Sequence, residues 1–423
     1  MFQEEEKRLN EYKNKIQRLE IPEEKLEGAI FEGIRLAKKK KRSSKWMLPA
    51  VAAAVFLITF IMTVRVSPVM AGHIASIPGM ERIVELIRYD RGLQSAVDNE
   101  YMEPIGVSRS IDGVKVTIDS AIYDEYGLVL FYTIELDEAK ENFNVWPTNI
   151  AGPDGLSMLA SSSGPGLDAS NDNKTYTGMW NLIFEDKTEL NDFTIEFEID
   201  EETLSIPVSL TGEPLETKQF DLNQVVVVEE QKVNIQNIKI TPIRAIVELE
   251  ALDENDLKLL TFENMKMVNE DGDEWGKVSN GVYSTGDNLL LQSNYFEMPE
   301  ELYLMLGEIQ VIDKDESSLI IDTEQKKIIK KPENFPFEIT SIERKLIEIE
   351  KSGKEFPYGL FSQAIDANGN KVDISRSGIR YSAGEVSMFD MSFETVDYEN
   401  PISLEFQFYP QWIESNEKIK IFD

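Results

Sequence analysis

The sequence predicts a mainly β protein: a short helical stretch, one transmembrane helix, then two or three antiparallel β-sandwich domains. Three observations predict it. Trp46 to Val64 (WMLPAVAAAVFLITFIMTV) runs 19 residues without a charge. At ~1.5 Å of rise per residue such a helix spans roughly 28 Å, close to the hydrocarbon core of a bilayer. From Ile111 onward apolar and polar residues alternate with period two, the mark of strands with one buried face. No strand–helix–strand alternation occurs, which argues against a parallel α/β sheet.

Charge divides the 423 residues at the same place. Residues 1–45 carry 13 Lys/Arg against 9 Asp/Glu, a net of +4, while the remaining 378 carry 30 against 68, a net of −38. A region that acidic repels a phosphate backbone, so direct nucleic-acid binding is excluded. The chain has no Cys, which removes disulfides, thiolate nucleophiles and thiolate metal sites. Its one His, His73, stands just past the apolar run. A Ser-His-Asp triad or a His-ligated zinc would need that residue. The chain reads as no enzyme, with no catalytic residues, no metal site and no cofactor.

Residues 1–45 carry helical patterns. Leu9, Tyr12, Ile16 and Leu19 recur every three or four positions. Pro22 then opens a second helix, with Glu23 and Glu24 near the positive end of its dipole. Leu26, Ile30 and Ile34 follow at i, i+4 and i+8, with Phe31 beside them. A single stripe on a helix of roughly 20 residues cannot form a core. The segment is either a solvated pre-membrane helix or one laid in a partner's groove, and the groove is the favoured reading.

Lys38, Lys39, Lys40, Lys41, Arg42 and Lys45 stand against the apolar run, with seven Lys/Arg in 31–45 and none in 66–80. That bias puts the N-terminus in the cytoplasm and the bulk outside. The same run is drawn to anionic headgroups of the lipid bilayer. A cleavable signal would have a shorter preceding region and a shorter apolar run. The segment 46–64 is therefore read as a retained anchor, with Trp46 and Val64 at its ends.

Residues 65–105 form a connector. After Pro78-Gly79, Met80, Ile83, Val84 and Ile87 mark one helical face, and a second short helix is expected over Arg91 to Asp98. Charges of both signs favour packing on the next domain over lying on lipid. The period-two region then divides into a first sandwich at 106–212, a second at 213–332 and a C-terminal β region at 333–423. Its strands show one buried and one acidic face, as in Phe193, Ile195, Phe197 and Ile199 or Ile402, Leu404, Phe406 and Phe408. That pattern suits immunoglobulin-like sandwiches. The pair VKVTIDSAIYD and GLVLFYTIEL (114–136) is echoed at 233–251, which supports more than one such domain. Pro147 to Gly178 reads as an exposed loop, and Glu270 to Asp273 and Asp366 to Asn370 as hairpin turns. Asp168, Asn171, Asp172 and Asn173 lack the spacing of a calcium loop. Trp146, Trp180, Trp275 and Trp412 read more readily as core fillers than as sugar platforms.

The run RVSPVMAGHIASIPGMERIVELIRYDRGLQSAV (65–97), with IDGVKVTIDSAIYDEYGLVLFYTIEL (111–136), resembles a bacterial membrane family known as domain of unknown function 4179. The resemblance covers roughly residues 40–140. It implies a single-pass protein similar to anti-sigma factors: a short cytoplasmic segment holds a sigma factor, and the outside domain senses the envelope. On that footing Leu26, Ile30, Phe31 and Ile34 are the partner-binding residues, and the outer region meets an unidentified extracytoplasmic ligand. The inside piece departs from the better-known anti-sigma pattern in lacking a His/Cys zinc cluster. The competing expectation is a cell-surface binding or structural protein whose N-terminus is only an anchor.

Overall fold

The alternating stretches pair as antiparallel strands. The computed structural model describes residues 80–422, without 140–144, 153–157, 164–166, 169–173, 201, 279–283, 286–287 and 383–385. The expected partner-binding residues Leu26, Ile30, Phe31 and Ile34, the basic run, the apolar segment 46–64 and His73 all lie outside the described residues. Among the described residues no helix is long and apolar enough to cross a membrane.

Two α-helices are found there, α1 (Met80–Ile87) and α2 (Arg91–Asp98). Both are in the expected places. Ile83 and Ile87 of the expected apolar face of α1 are buried, whereas Val84 is exposed.

The first module follows. Its larger sheet orders Glu103–Ile111, Val114–Asp124, Gly127–Leu136, Thr175–Phe184 and Met158–Ser163, with Leu167–Asp168 also paired to Thr175–Phe184. A three-stranded sheet of Val145–Ala151, Asp192–Ile199 and Glu202–Ser209 faces it. Val116, Leu130, Tyr132 and Trp180 from one sheet meet Ile195, Phe197 and Ile206 from the other in a shared core. The expected loop over Pro147 to Gly178 is corrected here, because strands occupy much of it. Pairing to Thr175–Phe184 supplies the backbone hydrogen bonds of Met158–Ser163. A small polar edge strand of that kind carries no apolar pattern for composition to register.

In the second module Lys218–Val228, Gln231–Ile240, Arg244–Ala251, Asn288–Gln292 and Ser284–Thr285 form one sheet. The opposing sheet orders Leu257–Phe262, Leu302–Asp313, Lys266–Asn269 and Glu274–Trp275. The last strand of the chain, Trp412–Phe422, also pairs with Leu302–Asp313. Ile413, Ile419 and Ile421 thereby join Val233, Ile235, Val247, Trp275 and Leu304 in the second core. The third module begins at Ser318–Asp322 and packs two further sheets around Phe337, Phe356, Phe389, Phe393, Phe406 and Tyr409.

The third module is therefore inserted into the second. The expected division into 213–332 and 333–423 does not follow these cores. Lys331 to Pro336 joins two strands of the third module, and Trp412–Phe422 returns to the second. Alternation reports which face of a strand is buried, not which sheet covers it.

The sequence echo has a structural counterpart. Val114–Asp124 with Gly127–Leu136, and Gln231–Ile240 with Arg244–Ala251, are both antiparallel hairpins. Each has a register shift, at Ile118/Ser120 and Ile235/Asn237. The two expected turns are present, with Gly272 at φ +87 and Gly369 at φ +83, where a side chain would be strained.

Candidate functional site

The residues with the most unusual chemistry gather where the helix pair meets the first two modules. Asp90 caps α2, its Oδ1 accepting from the Leu93 amide at 3.0 Å. The apolar side of the pair, Ile83, Ile87, Leu93, Ala96 and Val97, lies on Ile122, Val129, Phe131 and Met179 of the first sheet. Those strands are thus buried on both faces. This explains why Leu128 to Leu136 reads as a fuller apolar run than its neighbours.

The other side of α2 meets the second module. The Arg91 amide donates to Gln292 Oε1 at 3.0 Å. Its guanidinium donates to Glu297 Oε2 at 2.7 Å and lies 4.4 Å from the Trp275 ring centroid. At Gly92 the backbones are close enough that a Cβ would stand 2.5 Å from the Ser293 nitrogen. No other residue type fits there without displacing the helix.

A buried ionic group closes the joint. Asp124 ends its strand with Oδ1 accepting from the Tyr126 amide and Oδ2 from the Ile243 amide, each at 2.9 Å. The second of these bonds links the two modules. Arg244 follows Ile243, is only 4 % exposed, and its electrostatic partners are Asp124 and Asp90. Its Nε has no hydrogen-bond partner among the described residues. Burial raises both carboxyls, against the pull of Arg244 and of their hydrogen bonds. Burial likewise lowers the Arg244 guanidinium, with the two aspartates acting against the shift. A cavity of about 20 Å³, room for one water, is lined by Asp90, Asn181 and Arg244 among others.

The linker between the modules is held from the same region. Glu103 accepts from the amides of Thr211 at 2.8 Å and Gly212 at 3.1 Å. Tyr101 donates its hydroxyl to the Tyr123 carbonyl at 2.6 Å and accepts from the Leu215 amide at 3.1 Å. Glu125 accepts from Thr217 Oγ1 at 2.6 Å and pairs with Lys187. Burial acts to raise the Glu125 carboxyl, but the bonds from Lys187 and Thr217 together bring it below its ordinary value. Beside this linker is a cavity of about 400 Å³ lined by Tyr101, Tyr123, Leu210 and Leu215 together with Glu103 and Glu213. That volume is within the range of small-ligand sites.

The arrangement ties the helix pair to the first two modules. Among the described residues no group of three or more His, Asp or Glu is placed to hold a metal ion. Of the tryptophans, Trp180 and Trp275 fill cores, whereas Trp146 and Trp412 are partly exposed. Sequence reading passed over Asp90, Asp124 and Arg244. A signal existed for the last of these, a lone cation inside the apolar run Ile243 to Val247.

This is the construction of a multi-module β protein with a built inter-module joint. Residues 39–136 match the family model described as domain of unknown function (DUF4179), and residues 217–350 match a family of unknown function (DUF5643). The first match ends with the third strand of the first sheet. No curated protein matches. A solved structure, the crystal structure of the conserved domain protein from Bacillus anthracis, is similar at 17 % identity, covering 54 % of this chain and 84 % of that chain with a TM-score of 0.39. At that score the likeness says nothing further about this chain.

Proposed function

We propose that the protein is a single-pass membrane regulator of the anti-sigma type, in a bacterial cell envelope. The N-terminus is cytoplasmic, and the helix bearing Leu26, Ile30, Phe31 and Ile34 docks a sigma factor. Trp46 to Val64 crosses the bilayer, and the immunoglobulin-like β modules sense an envelope component outside. The observation that carries this reading is the extent of the DUF4179 match. Residues 39–136 take in the basic run from Lys39 on, the apolar run, the connector helices and the first three strands. A recurring unit of that make-up supports an anchor that works together with the joint next to it. The charge split of +4 against −38 supports the same topology.

Deleting residues 1–42 and reading a sigma-dependent reporter tests the reading, with altered transcription expected. Unchanged transcription would sink it. Topology is tested separately, since the chain has no Cys. A membrane-impermeant thiol reagent applied to intact cells is expected to label Glu213→Cys and to miss Ser43→Cys.

The cavity of about 400 Å³ beside Tyr101 favours a second reading. In it the protein binds a surface ligand and its N-terminus is only an anchor. Loss of a specific cytoplasmic partner on Ile30→Asp separates the first reading from this one.

A further inference from the structure

We propose that the helix pair 80–98 is a releasable latch. On leaving the joint it loosens the second module from the first while each module keeps its own core. The inference goes beyond the regulator reading and holds equally for the anchored binding protein.

Three features carry it. First, α1 and α2 have 8 residues each, below the length at which a helix persists alone in water. They are helical because they are docked, so undocking and unfolding are one event for them. Second, α2 is wedged between two bodies. Leu93, Ala96 and Val97 face the first sheet, whereas Arg91 and Gly92 face Gln292, Ser293 and Glu297 of the second module. Removing the wedge takes away contacts on both sides at once. Third, the joint is rich in groups that are costly to bury. Asp90, Asp124 and Arg244 are all buried there, and ions withdrawn from water return little net stability even when paired. The cores within the modules are apolar and extensive by comparison. Local opening favours places with less buried apolar contact, and the apolar clusters at the joint are smaller than the module cores.

Release has a definite consequence. Asp90 leaves Arg244, whose remaining electrostatic partner is Asp124 on the first module. Between the modules there remain, among other contacts, the Asp124–Ile243 bond, Ile243 and Phe296 beside Ile122, Val129 and Tyr101, Lys239 over the Tyr126 ring, a small apolar patch of Ile183, Ile246 and Leu290, and the linker contacts. A displacement arriving at residue 80 from the chain before it therefore changes the freedom of the second module. The reverse follows by linkage.

Hydrogen exchange on the full-length protein tests this, together with a distance measurement. In the natural sequence, amides of α1 and α2 are expected to exchange at least roughly tenfold faster than those of 128–134 and 235–247, by sub-global opening. Gly92→Val is expected to raise exchange in 80–98 further and leave both strand sets unchanged. If Gly92→Val does not fold, Arg91→Ala serves in its place. Spin labels at Glu198→Cys and Asp271→Cys, one on each module, are expected to give a broader distance distribution in the variant. The proposal is overturned if the helices exchange together with the strands, or if the helices open while the label distances stay as narrow as before.

Discussion

The second module has two neighbours and is joined to them in opposite ways. To the first module it is tied by one strand of chain, residues 210–217, with the helix pair wedged alongside. To the third it is tied by two, because the chain leaves from Leu302–Asp313 and returns as Trp412–Phe422. At that second crossing the buried Gln310 donates to Glu263 and accepts from the Tyr409 amide. Trp412 Nε1 donates to the same Glu263 at 2.8 Å. One joint is fixed by topology and the other by side chains. Of the two joints, the one next to the connector helices has the fewer covalent ties.

The largest expected effect comes from breaking the topological joint. Ending the chain after Gln411 removes Ile413, Ile419 and Ile421 from the second core. Large-to-small losses in a core cost about 2–5 kcal/mol each, against a whole-domain stability of about 5–15 kcal/mol. The second module is expected not to fold, whereas the first keeps its exchange protection. Protected amides over 302–310 in the truncated chain would contradict the insertion as an obligate closure.

Arg244→Met breaks the side-chain joint instead. It leaves Asp90 and Asp124 buried without their cation, at a cost of about 3–5 kcal/mol. Denaturant unfolding measures it, and Asp124→Asn in the same chain is expected to recover part of the loss. An Arg244→Met protein of unchanged stability would remove the ionic group from the account of the joint.

Two changes inside the first module act as controls that spare both joints. At Gly178 a Cβ would lie 2.3 Å from Tyr132 Cζ, and Gly178→Ala is expected to cost about 1–3 kcal/mol by overpacking. Its effect belongs in the unfolding of the first module, with the spin-label distance between modules unchanged. Asp119 is the pH control. Burial raises its carboxyl to about 6, although Thr133 donates to it at 2.7 Å. Its folded form holds a proton more tightly than its unfolded form. Its contribution is therefore complete below about pH 4 and is lost as pH rises through about 6. Asp119→Asn is expected to flatten the stability profile across that window by on the order of 2 kcal/mol. An unchanged slope in urea midpoints between pH 4 and 7 would count against it.

Much of the strand content was legible because period two is enforced locally. Phe193, Ile195, Phe197 and Ile199 are buried and the residues between them are not. The helix pair was legible for the same reason, since Ile83 and Ile87 repeat at helical spacing. The joint was not. Asp124 ends its strand just before a turn, and nothing local distinguishes a carboxylate facing water from one facing Arg244, 120 residues later in the chain. Gly92 looks like a helix weakener and is a point of close backbone approach.

By itself the sequence determined the layout: an apolar run of 19 residues, a basic side and an acidic side, and strands with defined inner faces. These are properties of composition and short-range period, which solvation acts on residue by residue. Tertiary structure alone decided which sheet each inner face meets, that Trp412–Phe422 closes the second module across the third, and that α2 is held between two modules. Those outcomes depend on pairings between distant strands, and any two alternating strands satisfy the same local pattern.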